Sequence, residues 1–420
     1  MASIHVRRLH ARNNAPAEAG NFLSIERRIS MGRMLLVVLI MSCAATYVSS
    51  LFPVYGEHYQ ISSLEITILF AVYAAILLPT LLVVGARGSY WGLKKVLRYS
   101  IWISIASTLL FILSTNVWML FASRILEGIA YGAFTGVASA FLLKQTAPGK
   151  IGTALKLSGV TVNIGFGLGP AISGLIVQYL HVQPLRLPFW FLLGMLAIAL
   201  AVLELLPKHE DPNARKLKIS LGIPQEISMP FWSFIGLPIF TVFTLGGIVL
   251  SLIPSFVKNV LHSGNLSISG LLILLLLGGG ALMQFFPWPR NPVTRMRISI
   301  LALAVGSWLI VFSGETSSLA LLWAGFFIQG IGAGWTFQVA LRFAGQLPQP
   351  EGRPRVISAF YMCAYAGFIV PPVAVGVLTQ FLNLNASLVI LNSFAAMIVV
   401  YVLIYSVSFQ RYYATFASRQ

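Results

Sequence analysis

Two charged side chains stand where charge is hardest to keep. Arg124 and Glu127 lie three residues apart inside the apolar stretch 117–143. An ionisable group at membrane depth is unfavourable enough that a functional role is the first reading. On a helix this spacing puts both on one face. Burial opposes ionisation of a carboxyl and a nearby cation favours it, so a pair that forms and separates can load and release a proton. Glu127 is thus the candidate proton carrier and Arg124 its switchable partner; a permanent ion pair that locks helix packing is the competing reading. The other ionisable groups are peripheral. Glu65 and Glu204 lie near the ends of apolar stretches, and Asp211, the sole aspartate, lies in a polar segment. All six histidines, His5, His10, His58, His181, His209 and His262, fall outside the apolar stretches or at their edges. No convergent His, Cys, Asp or Glu set suggests a metal centre or an acid–base enzyme. No glycine loop followed by Lys-Ser or Lys-Thr suggests ATP binding. The expectation is no enzyme, no metal and no tightly bound cofactor. Cys43 and Cys363 lie in apolar stretches and suggest no disulfide framework.

Polar and aromatic residues on the same stretches are candidates for lining a substrate cavity: Tyr131 and Asn163 in the first half, Gln329, Trp335, Tyr361 and Tyr365 in the second. Large aromatics suit a hydrophobic or cationic guest through stacking and cation–π contact. Tyr47 and Tyr73 share that chemistry, although periodicity alone does not say which helix face is wet.

The elements that must position these groups are transmembrane helices. Hydrophobic residues make up 57% of the 420 and charged residues only 9%, far from a soluble domain's balance. Twelve stretches approach the ~20 residues needed to cross a bilayer: 34–56, 63–85, 97–115, 117–143, 155–180, 188–206, 231–256, 266–287, 298–314, 318–344, 356–381 and 386–408. The fold class expected is all-α integral membrane, with two pseudo-symmetric six-helix bundles over 34–206 and 231–408. A polar arm, 1–33, precedes them, a solvated linker, 207–230, joins them, and a tail, 409–420, follows. The arm has no apolar core and is not a cleavable signal peptide.

The net charge of +17 suggests nucleic acid only until its distribution is read. Twelve crossings from a cytoplasmic N-terminus place 25 of the 28 Lys and Arg residues on one side; Arg186 and Lys258 fall opposite, and Arg124 within a crossing. That asymmetry puts both termini in the cytoplasm of a multi-pass cell (inner) membrane protein. The charge is topological, so the partners expected are a small-molecule substrate and membrane lipid, not nucleic acid, with the chain acting as a monomer.

The two halves repeat. Adding 202 carries Gly128 to Gly330, Gly132 to Gly334, Ala138 to Ala340, Pro148 to Pro350, Gly165 to Gly367, Phe166 to Phe368, Pro170 to Pro372, Gly174 to Gly376 and Gln178 to Gln380. Leu64 and Ile66 likewise map onto Leu266 and Ile268, while Pro53 maps onto Pro254 with an offset of 201. Duplicated halves in apolar sequence suggest a transporter with its substrate path between them. Glu127 falls on Gln329 and Arg124 on Phe326, so acid–base capacity sits in one half only.

With these features the chain resembles the major facilitator superfamily over essentially all of 34–408. Gly165-Phe-Gly-Leu-Gly169-Pro170-Ala-Ile-Ser173-Gly174 is similar to that family's fifth-helix antiporter motif, and the resemblance implies a proton-coupled exporter. Its second-half counterpart runs through Gly367, Pro371, Pro372 and Gly376. Physically, Gly169-Pro170 frees a carbonyl and bends the helix, while the glycines offer flat surfaces for close crossings. Arg124-Ile-Leu-Glu127-Gly128-Ile-Ala130 resembles the fourth-helix pattern, with Glu127 where the family has glutamine, and implies a proton-coupling role for Arg124. Gly85 through Lys95, with Gly85 and Gly92 marking it, resembles the loop signature after the second helix. Ser89 and Tyr90 replace its Asp and Arg, so the family's charged latch is not expected there, though Ser89 could cap a helix end. The corresponding loop in the second half, Pro289–Arg297, keeps only positive charge. The combined expectation is proton-coupled export of a small organic or drug-like molecule, a siderophore or metallophore, or a metabolite, driven by the proton gradient. Inward symport or uniport of a metabolite is the alternative, and a non-transporting receptor or scaffold a remote one.

Overall fold

A computed structural model describes residues 27–147, 149–180, 183–208, 221–286, 288–349 and 352–417. Twelve helices are long and apolar enough to cross a membrane. They are α1 (Arg27–Tyr59), α2 (Ser63–Trp91), α3 (Leu93–Ile112), α4 (Val117–Lys144), α5 (Ile151–Leu180), α6 (Leu187–Glu204), α7 (Gln225–Ser251), α8 (Leu266–Met283), α9 (Pro292–Thr316), α10 (Leu319–Gln346), α11 (Arg353–Leu378) and α12 (Leu384–Thr415). Most of the arm expected over 1–33, half of the linker over 207–230, and Pro148 and Pro350 of the repeat lie outside the described residues.

Several helices outrun their apolar stretches. The shortest stretch, 298–314, is the middle of Pro292–Thr316, and 63–85 continues to Trp91. A helix keeps its backbone bonded past the hydrocarbon, so polar and basic residues extend it without altering the apolar core. The ends carry ordinary signals. Ser62 and Glu65 form a capping box on α2, which accounts for Glu65. Asn116, Asn265, Asn291 and Ser318 accept backbone N–H groups at the starts of α4, α8, α9 and α10. Between α2 and α3 the chain turns at Gly92, whose φ of 91° favours glycine. Gly92 is itself the N-cap of α3, without a side-chain hydrogen bond, so the cap considered for Ser89 is not formed.

Helices α2 and α3 pack on α4, and α3 on α6; in the second half α9 packs on α10 and α12, α7 on α11, and α8 on α10. Two seams join the bundles, α5 against α8 and α2 against α11. Under the 202-residue shift each seam maps onto the other. Side-chain detail obeys the same register. A Cβ at Gly174 would lie 3.0 Å from the Leu266 carbonyl, and one at Gly376 3.1 Å from Leu64 Cα, the repeat-related contact. Gln60 (φ 53°) and His262 (φ 51°), also repeat partners, share a left-handed backbone. Both Pro53 and Pro254 begin a helical segment after an interruption, at Ser49–Leu51 and at Leu252, where the missing proline N–H is least felt.

Candidate functional site

Arg124 and Glu127 are both buried, at 2% and 3% exposure. They are not joined. The Arg124 guanidinium lies 4.2 Å over the Tyr73 ring of α2; its Nη1 donates to the Ala45 carbonyl of α1 at 3.3 Å, and its Nε has no partner. The Glu127 carboxylate instead accepts from Ser104 Oγ of α3, at 3.0 and 3.3 Å. Sharing a helix face brings the two charges near, but each side chain is drawn to a different neighbouring helix. The arrangement leaves a carboxylate held by hydroxyls of α3 and a cation held by a ring and a carbonyl.

The repeat explains Gln329. Ser104 and Glu127 map onto Gly306 and Gln329, and these also meet: a Cβ at Gly306 would lie 2.7 Å from Gln329 Cβ. Gln329 is 2% exposed with Oε1 unpartnered. The α9–α10 contact places Gln329 beside Gly306 within its own bundle.

The aromatic candidates divide. Tyr131 is buried, shares a hydrogen bond with Ser42 of α1 at 3.0 Å, and has its ring centroid 5.4 Å from that of Phe166 on α5. Tyr73, Tyr131 and Tyr365, from α2, α4 and α11, lie in electrostatic range of one another. Around them rings bridge the halves. Phe70 of α2 and Phe368 of α11 are 4.8 Å apart, Phe368 and Phe243 of α7 5.7 Å, Phe243 and Tyr365 6.0 Å, and Phe243 and Phe337 of α10 6.4 Å. Phe166, Phe243, Phe337 and Phe368 are each half-buried. Asn163 and Trp335 bind backbone instead: Asn163 donates to the Gly159 carbonyl of its own helix at 2.9 Å, and Trp335 Nε1 to the Met283 carbonyl of α8 at 2.9 Å. Tyr361, half-buried, packs edge-on against Phe360 at 5.3 Å. Sequence reasoning missed Phe70, Phe243, Phe337 and Ser104. Phe166 and Phe368 do carry a signal, since two aromatics recur there at the same register of the repeat.

Helix α5 is clamped on two sides. A Cβ at Gly165 would meet Ser42 Cβ at 2.6 Å, and one at Gly169 would meet Thr46 Oγ1 at 2.9 Å, both on α1. On another face, a Cβ at Gly167 would meet Leu274 Cα of α8 at 2.8 Å. Pro170 removes the N–H that would bind the Phe166 carbonyl. That carbonyl accepts from Thr46 Oγ1 at 2.9 Å, and the Pro170 carbonyl from Ser50 Oγ at 2.8 Å. In the second half Pro372 and the Phe368 carbonyl press on Gly247 of α7, at 2.8 and 2.9 Å from a Cβ placed there. Gly367 likewise backs onto Phe240, and Pro371 is buried in the same helix. On the α2–α4 contact, a Cβ at Gly136 would lie 2.9 Å from Gly85 N.

The seams are unequal. At the end remote from the basic loops, Glu57 pairs with Lys258, Gln178 accepts from the Leu266 N–H at 2.8 Å, and Leu64, Thr67 and Phe70 meet Gly376 and Phe368. The α5–α8 seam continues to the basic end, where Lys156 lies 4.6 Å over the Phe285 ring; the α2–α11 contacts described above lie toward the remote end. Near Gly85–Lys95 an ion pair does form, but within the first bundle. Arg98 binds Glu204 at 2.5 and 2.7 Å, and Lys94 donates to the Glu204 and Leu206 carbonyls at 2.9 and 2.6 Å.

Fold and seam define a two-bundle membrane transporter architecture. The sequence model of the Major Facilitator Superfamily matches residues 34–290 and 291–412, and the chain belongs to that family. It is 22% identical over 175 residues to an uncharacterized MFS-type transporter of Methanocaldococcus jannaschii, covering 41% of this chain and 45% of that relative; the chain thus matches under half of that relative's length. The fold is similar to a bacterial homolog of the human lysosomal transporter Spinster, in its inward-facing and unoccupied conformation, with TM-score 0.68 and 14% identity over 92% of this chain and 98% of that one. It is also similar to the nucleoside transporter NupG, with TM-score 0.70 and 14% identity over 89% and 98%. Members of this family are transporters, not enzymes.

Proposed function

We propose that this protein exports a small organic molecule from the cytoplasm in exchange for protons, by alternating access between its two bundles. The observation that carries the reading is Glu127: a buried carboxylate met by serine hydroxyls of α3 and, among the described residues, by no ion pair, on the same helix face as a buried arginine. Such a carboxylate can change protonation as the bundles move, and Arg124 is placed to approach it in another state. Its lack of a counterpart in the second half supports one coupling site over a symmetric structural lock. The clamped glycine–proline helix α5, similar to the family's antiporter motif, supports the outward direction.

The excess of Lys and Arg at that end supports a topology with both termini on the cytoplasmic side of the cell membrane. On that orientation the contacts at the opposite end, those of α2 with α11 among them, hold the outer side shut and leave the cytoplasmic side as the opening. The half-buried aromatics between the halves favour a hydrophobic or cationic guest with a planar ring. The reading takes the chain as a monomer in which 207–230 links the two bundles.

The test uses proteoliposomes under an imposed pH gradient, loaded with planar aromatic cations as probe substrates. Antiport predicts substrate movement opposite to the proton, abolished by Glu127→Gln. Movement in the same direction as the proton would establish symport and overturn export, and full proton-driven transport by Glu127→Gln would remove the coupling assignment.

A further inference from the structure

The basic end of the second bundle holds a cluster that lies outside the proposed coupling site. Arg290, Pro292, Arg295, Gln338, Val339 and Arg342 surround a cavity of about 290 Å³ between the α8–α9 loop and the last turns of α10. Arg295 is 5% exposed. It is held rigidly: Nε and Nη2 donate to the Pro289 carbonyl at 2.9 and 2.7 Å, and Nη1 to Gln338 Oε1 at 3.0 Å. Gln338 is fixed in turn by donating to the Gln284 carbonyl at 3.1 Å. Arg342 reaches only Gln346 of its own helix, at 3.1 Å. Among the described residues no carboxylate pairs with any of the three arginines. The contrast with Lys94 and Arg98, which share Glu204 in the first bundle, is direct.

Three cations around one small cavity repel each other. Arg290 and Arg342 are exposed, but Arg295 is buried with no counter-charge among the described residues, which is unfavourable by itself. Neutral dipoles orient Arg295 but do not cancel its charge. An oxyanion would, and guanidinium forks match phosphate oxygens in pairs. The cavity sits at or below the small end of the ~300–1,000 Å³ usual for organic ligands, which suits a headgroup better than a whole molecule. In the loop that leads to Arg290, Phe285, Phe286 and Trp288 are 40%, 60% and 68% exposed. Exposed aromatics of this kind mark the boundary between hydrocarbon and headgroups. We infer that Arg290, Arg295 and Arg342 form a binding site for a phosphate group, supplied by the headgroup of an anionic lipid in the leaflet at the basic end.

The test compares the unfolding midpoint of the full chain in nanodiscs of phosphatidylcholine alone, with phosphatidylglycerol added, and with inorganic phosphate added to phosphatidylcholine. Wild type is expected to gain a higher midpoint with phosphatidylglycerol. R290Q/R342Q should lose most of that gain while matching wild type in phosphatidylcholine. K95Q/K150Q, which removes the same charge from exposed sites at the basic end of the first bundle, should keep it. An equal gain in R290Q/R342Q and wild type would overturn the site. Protection by inorganic phosphate that R290Q/R342Q loses would support the phosphate site but overturn lipid as its source. If the double variant unfolds, R342Q and the count of phosphatidylglycerol molecules retained in native mass spectrometry decide: retention equal to wild type overturns the proposal, and loss supports it.

Discussion

At the scale of single residues, Arg124 and Glu127 behave as separate groups that share a buried neighbourhood. Their spacing was legible, because an i, i+3 pair of opposite charges in an apolar stretch stands out. Their partners were not, because Tyr73, Ala45 and Ser104 come from three other helices. Arg124 rests on a ring, so the ring and not the hydroxyl should matter. Tyr73→Phe is expected to fold and transport like wild type, whereas Tyr73→Leu should destabilise the chain by about 2 kcal/mol, the scale of a desolvated cation–π contact; thermal unfolding in detergent measures both. Glu127→Gln keeps the size and the contact with Ser104, so stability should hold. Proton-driven transport should fall at least about tenfold, equivalent to ~1.4 kcal/mol, with gradient-independent exchange of substrate retained.

Among the elements, α5 carries the most specific geometry. Its glycines were visible as a motif, and the structure adds which neighbour each one meets: α1 for Gly165 and Gly169, α8 for Gly167 and Gly174. Proline's freed carbonyl was also foreseeable, but its acceptance of the Thr46 hydroxyl was not, since Thr46 lies 120 residues away. Thr46→Val removes that donor at nearly constant volume and should cost about 1–3 kcal/mol of stability, read by thermal unfolding, because it leaves a buried carbonyl unsatisfied. Gly169→Ala forces a methyl against the α1 backbone and should cost about 1–3 kcal/mol by overpacking. At Gly194 an added Cβ would find nothing within 4 Å, so Gly194→Ala is the matched control and should be neutral in the same assay. At Gln329 the sequence left the face open, since polar residues on a lipid-embedded helix can face a bundle interior as readily as a cavity. The small Gly306 that packs beside it comes from another helix and was not foreseeable.

For the whole molecule, the duplicated register was the most legible feature, and it proves to be physical. The two seams, their glycine contacts and the left-handed Gln60 and His262 all obey one shift of 202 residues. Less legible was the departure from symmetry. Whether the halves meet along their full length depends on tilts that no residue pattern encodes, and the aromatic bridge from Phe70 to Phe243 forms only once that tilt is set. In the alternating-access cycle proposed above, this asymmetry is one end of a rocking motion, and Glu57–Lys258 and the Phe70–Phe368 contact break as the end remote from the basic loops opens.

The most direct test is a pair of distances measured by electron–electron resonance on the full chain in lipid. Spin labels at His58 and His262 report the end that is closed in this structure, and labels at Ser89 and Arg353 report the basic ends of α2 and α11. Alternating access predicts that acidification or added substrate shifts the two distances in opposite senses, the first widening as the second shortens. Distances that stay fixed, or that lengthen together, would contradict it.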